Sequence, residues 1–347
     1  MIKALKCCVV VATATLAIMV ASRAMAEQIA VTTYGVWSKE MKACWLDPFT
    51  KKTGITVVAD PGASGPNLAK LVQEQGAPAH DAAWIDSGVS EQAFEKGVID
   101  TIDPEAVPNI ANLAPSGIHK TKDGKIFAVS TGMYVTAIEY STKTVKTPPT
   151  SWWDLWAPEY EHRVEFPTPA MGFFAPLFMF LNKQLGGTSN DFSPIVAKLK
   201  ELKAYAFYDA GGPMNAALQN DEISLAPFFG SQAWVLNDRG LPVQSVVPKE
   251  GTIAGDIRIH LVKGSKHKLA AEKFIDYVIS PEALTCWTNQ TYLAPPLKAP
   301  VLSEKVKARM PWGATGSVND LQFPDWNEVN AKIPDIVKIW NREIIAK

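Results

Sequence analysis

The sequence predicts an α/β protein divided into two lobes. Strand-like and helix-like runs alternate from residue 29 onward, the mark of a parallel sheet covered by helices. The length beyond an N-terminal leader exceeds the roughly 250–300 residues at which one core usually splits. No repeat, low-complexity tract or flexible linker separates the halves, so strands must join the lobes.

The leader comes first. Lys3 and Lys6 precede an uncharged apolar run from Cys7 to Ala21, followed by Ser22, Arg23 and the small-x-small triplet Ala24-Met25-Ala26. This layout predicts a secretory signal peptide cleaved after Ala26. The run falls short of the ~20 apolar residues of a membrane span. The mature chain is therefore expected to be soluble and outside the cytoplasm.

Ile29 to Thr33 reads as the first strand, ending in Tyr34-Gly35-Val36-Trp37. Ser38 can cap a helix in which Met41, Trp45 and Phe49 recur at helical spacing. Gly54 ends that helix, and residues 55–58 form a second strand. Gly62-Ala63-Ser64-Gly65-Pro66-Asn67 leads into an amphipathic run through Leu68, Leu71 and Val72. His80 to Ile85 is a third strand, closed by Asp86-Ser87-Gly88. Ligands bind beyond the carboxyl ends of such strands, which points to Tyr34, Trp37, Ser64, Asp86 and Ser87.

From Ile126 the pattern changes. Residues 126–129 and Tyr134 to Tyr140 read as two strands around Ser130-Thr131-Gly132. Trp152, Trp153 and Trp156 have the spacing of a helix packed on a sheet, so core packing is their expected role. Val164 to Phe166 is a strand leading into residues 167–172. Phe173 to Leu185 is a buried helix, and Ser193 to Leu202 another. Ile223 to Phe228, Val243 to Val247 and Ile257 to Val262 are strands, and Lys268 to Ile279 is an amphipathic helix.

Composition restricts the partners. Without Lys3, Lys6 and Arg23, the 34 Lys and Arg fall to 31 against 35 Asp and Glu, a net of −4. No basic field exists for nucleic acid or for an anionic membrane. A small molecule and other proteins are the expected partners, and the chain is expected to be a monomer. Cys44 and Cys286 alone remain after the leader; they form either one disulfide or two buried thiols.

Catalytic signatures are missing. Gly62-Ala63-Ser64-Gly65-Pro66 has proline where a nucleophile elbow needs glycine, the five His lack metal-type spacing, and no Cys-x-x-Cys, phosphate loop or dinucleotide fingerprint occurs. Neither enzyme activity, a metal nor a cofactor is expected. The chain is instead rich in aromatics, with 11 Trp. Tyr34, Trp37 and Phe229, in loops after strands, are candidate walls for a small ligand. Ser64-Gly65 is either an anion seat at a helix N-terminus or a simple N-cap. Asp256 is either a carboxylate for a cation or a turn residue. Tyr134, Thr168 and Phe173, at the ends of the elements just described, complete the set together with Tyr292.

Residues 151–160, Ser-Trp-Trp-Asp-Leu-Trp-Ala-Pro-Glu-Tyr, resemble the S-W-x-D-L-W-x-P-x-Y signature of family 1 extracellular solute-binding proteins of bacterial ABC importers. Residues 247–251 (Val-Pro-Lys-Glu-Gly) and 274–282 match further blocks in order, and the nearest branch is the spermidine/putrescine group with its iron-, thiamine- and phosphonate-binding relatives. The resemblance implies the two-lobed periplasmic binding protein fold of type II, each lobe a mixed sheet flanked by helices and joined by crossing strands. It implies lobe one as residues 27–131 and 256–300, and lobe two as 132–255 and 301–347. It puts Cys44 and Cys286 in the same lobe. It further implies a periplasmic home and delivery of a ligand to a permease with an ATPase. Tyr292 matches the family's cleft tyrosine, but the loop Thr168 to Gly172 lacks the acidic residues of polyamine binders. A polyamine-like, a thiamine-like or a small anionic ligand is compatible, with at most one or two charges on a flat or apolar body. An exported hydrolase, or a receptor serving a sensor, would be the alternatives.

Overall fold

The computed structural model describes residues 27–313 and 316–346; the expected leader lies outside them. The first half opens with β1 (Gln28–Tyr34), α1 (Ser38–Met41), α2 (Asp47–Thr53), β2 (Thr56–Gly62), α3 (Ser64–Gln73), β3 (Ala82–Asp86) and α4 (Val89–Glu95). Next come β4 (Ile118–Lys120), β5 (Ile126–Ser141), β6 (Glu165–Pro167), α5 (Phe174–Gln184), α6 (Ser193–Lys200) and β7 (Ala206–Tyr208). After them follow α7 (Gly211–Gln219), β8 (Leu225–Phe229), α8 (Gly230–Asp238), β9 (Val243–Val246) and β10 (Ala254–Leu261). The chain ends through α9 (Lys268–Val278), α10 (Pro281–Thr291), α11 (Glu304–Lys307) and α12 (Trp326–Trp340). Among the described residues no helix is long and apolar enough to cross a membrane.

The sheet runs β2-β1-β3-β10-β5-β4, with β1 parallel to β2 and β3, and β10 antiparallel to β3 and β5. The sheet is therefore mixed and covered by helices. β5 is one 16-residue strand, not the two runs predicted around Ser130-Thr131-Gly132. Polar residues there do not break it because each finds a buried partner. Ser130 Oγ donates to Asp256, and Thr131 Oγ1 accepts from Trp84 Nε1 at 3.1 Å. Gly132 lies under Trp287 and Leu293, whose atoms a Cβ would meet at 3.0 and 3.1 Å. The first half of β5 pairs with β4 and β10, and its second half with β8 and β9. One strand thus runs through both halves of the molecule.

Two large cores flank it. One gathers Trp45, Trp84, Phe274 and Trp287; Trp45 stacks on Trp84 at 5.0 Å and on Trp287 at 4.2 Å. The other gathers Trp152, Phe166, Phe174, Phe178 and Trp340. Trp152 is buried, with Trp153 and Trp156 packed beside it, in a short 3-10 turn rather than an α-helix. Ser151 Oγ and the Trp152 amide both donate to the Glu250 carboxylate, and Trp152 Nε1 donates to Gly251 O at 2.9 Å. Two of the sequence blocks noted above are therefore bonded to each other.

Ser38 does not cap the first helix. A 3-10 turn (Gly35–Trp37) precedes it, and Ser38 Oγ donates back to the Gly35 and Tyr34 carbonyls. Met41, Trp45 and Phe49 are buried as their spacing predicts, although residues 42–46 widen into a π-turn. Gly54 ends α2 in the left-handed region, φ 76°.

A disulfide joins Cys44 to Cys286 across 242 residues. Each cysteine adjoins one of the stacked tryptophans, Trp45 and Trp287, so the bridge ties α10 to the segment before α2 where the first core is densest. Closing so long a loop removes freedom from the unfolded chain. The Cys44→Ala, Cys286→Ala double variant is expected to lose about 2–5 kcal/mol in denaturant unfolding. Intact mass after alkylation without reduction should show no modified thiol in the parent protein.

Candidate ligand-binding cleft

Beyond the carboxyl ends of β1 and β3 the two cores face one another across a cavity of about 430 Å³. Asn67, on α3, anchors the Ala63–Gly65 segment that lines it. This buried amide donates to Thr33 O at 3.2 Å and Trp84 O at 3.0 Å, holding the start of α3 between β1 and β3. Gly62 is required there, because a Cβ would sit 2.2 Å from Asn67 Oδ1.

Asp86 ends β3 and is the one charged side chain among the described residues lining the cavity. Tyr34 Oη donates to Asp86 Oδ1 at 2.6 Å, and Ser64 Oγ accepts from the Asp86 amide at 2.9 Å. Burial raises the Asp86 carboxyl to about 6, against hydrogen bonds from Tyr34 and Ser64 that pull it down. Burial, followed by the adjoining Asp86 charge, pushes the Tyr34 phenol up, so it stays a neutral donor. Ser64 is thus not the N-cap. The cap position is Ala63, and Ser64 joins Tyr34 to β3.

The loop after Asp86 is fixed from behind. Ser87 pairs with the backbone of Asp256 in both directions, 2.9 and 3.1 Å. Gly88 N donates to Glu91 Oε2 at 2.7 Å, while Glu91 Oε1 accepts from Arg258 Nη1 at 2.5 Å. Arg258 Nε also reaches both Asp256 oxygens at 3.0 Å. Burial would raise Asp256, but Arg258 and then His119 outweigh it and hold the carboxyl far below the usual range. His260 is buried and neutral, pushed down to about 3, between Ala83 O and Ser90 Oγ.

Trp37 lines the near wall, edge-on to Tyr34 at 5.6 Å. The far wall is neutral: Tyr134 and Phe229, 4.8 Å apart, with Ser231, Gln232 and the α12 residues Trp326, Asn330 and Ile333. Asn330 Nδ2 donates to Gly88 O at 2.8 Å across the cleft.

The structure thus brings together Tyr34, Trp37, Ser64, Asp86, Ser87, Tyr134 and Phe229. Four sequence candidates stand elsewhere. Asp256 is fully buried behind the strand, in the ion cluster with Arg258. The two lie at i and i+2 of β10 and so share a face. Phe173 sits one layer back, 4.9 Å from Phe229. Thr168 bonds Asp209, while its loop neighbours Ala170 and Gly172 reach the cavity. Tyr292 instead faces a second cavity of about 310 Å³, bonded to Asp238 at 2.6 Å and to Arg309 at 2.8 Å. Sequence reading missed Gln92 and α12, although Trp326, Asn330 and Ile333 lie at i, i+4 and i+7, one helix face.

A profile of a family described as bacterial extracellular solute-binding protein matches residues 82–332. The spermidine/putrescine-binding periplasmic protein of Salmonella typhimurium is 26% identical over 254 residues, 71% of this chain and 72% of that one. The putrescine-binding periplasmic protein PotF of Escherichia coli is 26% identical over 322 residues, 86% of each chain. The fold is shared with the substrate-binding protein PotD of Streptococcus pneumoniae, with a TM-score of 0.74 at 19% identity over 91% of this chain and 100% of that one.

The raised Asp86 carboxyl has a stability consequence. A carboxyl with a higher value folded than unfolded favours the fold at low pH, and that support is lost as pH rises through about 6. Asp86→Asn keeps an acceptor for Tyr34 and removes the desolvated charge. It is expected to stabilise the protein at pH 7.5 by on the order of 1–3 kcal/mol, with the difference vanishing by pH 4, as read from urea unfolding.

Proposed function

The chain belongs to the bacterial extracellular solute-binding proteins, and from that premise we propose that it captures a small organic cation bearing a single positive charge and delivers it to an ABC permease and its ATPase. It is an extracellular solute-binding protein of an ABC transporter, with polyamine-binding homologues. The observation that carries the ligand reading is Asp86, alone in charge and desolvated, facing aromatic and neutral polar walls. A charge left unpaired in such a site is costly, so a ligand with one ammonium or heteroaromatic cation restores neutrality. The faces of Tyr34, Trp37 and Phe229 favour the same charge through their quadrupoles. A polyamine would bring further ammonium groups for which the cavity offers no carboxylate.

In this reading the protein acts in the periplasm after removal of residues 1–26, as a monomer and without catalysis or cofactor. Lobe one comprises residues 27–131 and 256–300, and lobe two residues 132–255 and 301–347. The distribution of the two cores on either side of β5 supports this division. Both lobes contribute to the cavity, so ligand capture is a hinge closure.

Calorimetry with putrescine, spermidine, thiamine and choline is the test. Thiamine or choline should bind more tightly than spermidine at pH 7.5, and more weakly as pH falls through about 6 and Asp86 takes up a proton. Asp86→Asn should weaken that binding by on the order of 10–100-fold, through loss of the desolvated charge pair between the carboxylate and the cation. Tight spermidine binding unaffected by Asp86→Asn would overturn the ligand class.

A further inference from the structure

We infer that Trp287 is a positioning residue for the near wall of the cleft, and that the Cys44–Cys286 bridge acts on ligand binding through it. This rests on the solute-binding reading above, since Trp37, the ring being placed, is a wall of that cleft.

Trp37 stands on a segment with little order of its own. From Gly35 to Leu46 the chain winds first as a 3-10 turn, then as one turn of α-helix, then as a π-turn. Neither the 3-10 turn nor α1 has a side-chain cap. Helices this short gain little from their own hydrogen bonds, so packing must set where the Trp37 ring lies. Toward the ligand its neighbour is Tyr34, edge-on at 5.6 Å. Inward its neighbour is Trp287, also edge-on, at 5.8 Å.

Trp287 belongs to α10 and is fully buried in the stack with Trp45 and Trp84. The Trp84 indole N–H is held by Thr131. Those of Trp45 and Trp287 have no partner among the described residues. Hydrogen bonds therefore do not orient these two rings. Their backbones are held together by the bridge instead: Cys44, at the centre of the π-turn, precedes Trp45, and Cys286 precedes Trp287. β5 leaves no slack on another side, because a Cβ at Gly132 would sit 3.0 Å from Trp287 Nε1. The series from bridge to Trp287, Trp37 and Tyr34 ends at Asp86, to which Tyr34 donates. Loss of the bridge frees Trp287 to turn, and the near wall turns with it.

Fluorine NMR of the ligand-free mature protein, labelled with fluorotryptophan, tests the placement directly. Loss of a line in Trp37→Phe and in Trp152→Phe assigns those two rings. In the Cys44→Ala, Cys286→Ala double variant the Trp37 line should shift or broaden. Trp152, in the other core, should keep its line and show that the chain is folded. Trp287→Leu should move the Trp37 line as well, and Trp287→Phe, which keeps a ring, should move it less. Calorimetry with thiamine and choline then reads the wall. The double variant and Trp287→Leu should bind the tighter probe roughly 3–30-fold more weakly, the worth of one cation–π contact. Val107→Ala, in the same core but outside the stack, should lower the melting temperature and leave the Trp37 line and the affinity unchanged. An unmoved Trp37 line in the double variant would overturn the inference, as would an equal loss of affinity in Val107→Ala. Binding of neither probe by the parent would instead overturn the cation reading, and the fluorine comparison would still decide how Trp37 is placed.

Discussion

The buried guanidinium of Arg258 is the interaction on which the site depends. It lies between Asp256 and Glu91, away from solvent, where an unpaired cation could not remain. Pairing leaves its fork geometry fixed, and that geometry is passed outward: Glu91 holds Gly88, and Asp256 shares its backbone with Ser87. The loop carrying Asp86 is therefore set by a strand behind it rather than by its own sequence. Removing one member would strand the others as buried charges, so the cluster behaves as a unit.

Asp86 and Asp256 show how far environment separates two identical side chains. Asp256 is the more deeply buried, yet Arg258 and His119 keep it ionised under all ordinary conditions. Asp86 keeps only neutral donors, and its ionisation is a standing cost to the fold. In the proposed function an incoming cation would supply what the protein withholds from Asp86. The aromatic residues around it add area without adding charge.

Much of this was legible in the sequence. The strand–helix alternation gave the parallel β1, β2 and β3, and the strand-end rule led to Tyr34, Trp37, Ser64, Asp86 and Ser87. Local pattern failed where the deciding partner was distant. Ser130, Thr131 and Gly132 look like a turn until Asp256, Trp84 and Trp287 are placed around them. Asp256 looks like an exposed ligand because the sequence does not show how deep β10 lies. Tyr292 matches a family position, but its partners Asp238 and Arg309 come from segments whose approach only the fold reveals. The α12 contribution was missed for the same reason: its periodicity was present, and what it would face was not.

The first core draws on residues from Ile29 to Leu297, and the second on residues from Ile138 to Trp340. If the chain is exported N-terminus first, as proposed, it must wait for its last third before either core can close. Contacts so distant in sequence form slowly and leave apolar strands uncovered in the interval. In such an export Cys44 would emerge early and Cys286 late, so oxidation of this pair would follow near-complete passage of the chain. The bridge would then record that the two ends of the first core have met, and hold them while the remainder of the polypeptide arrives.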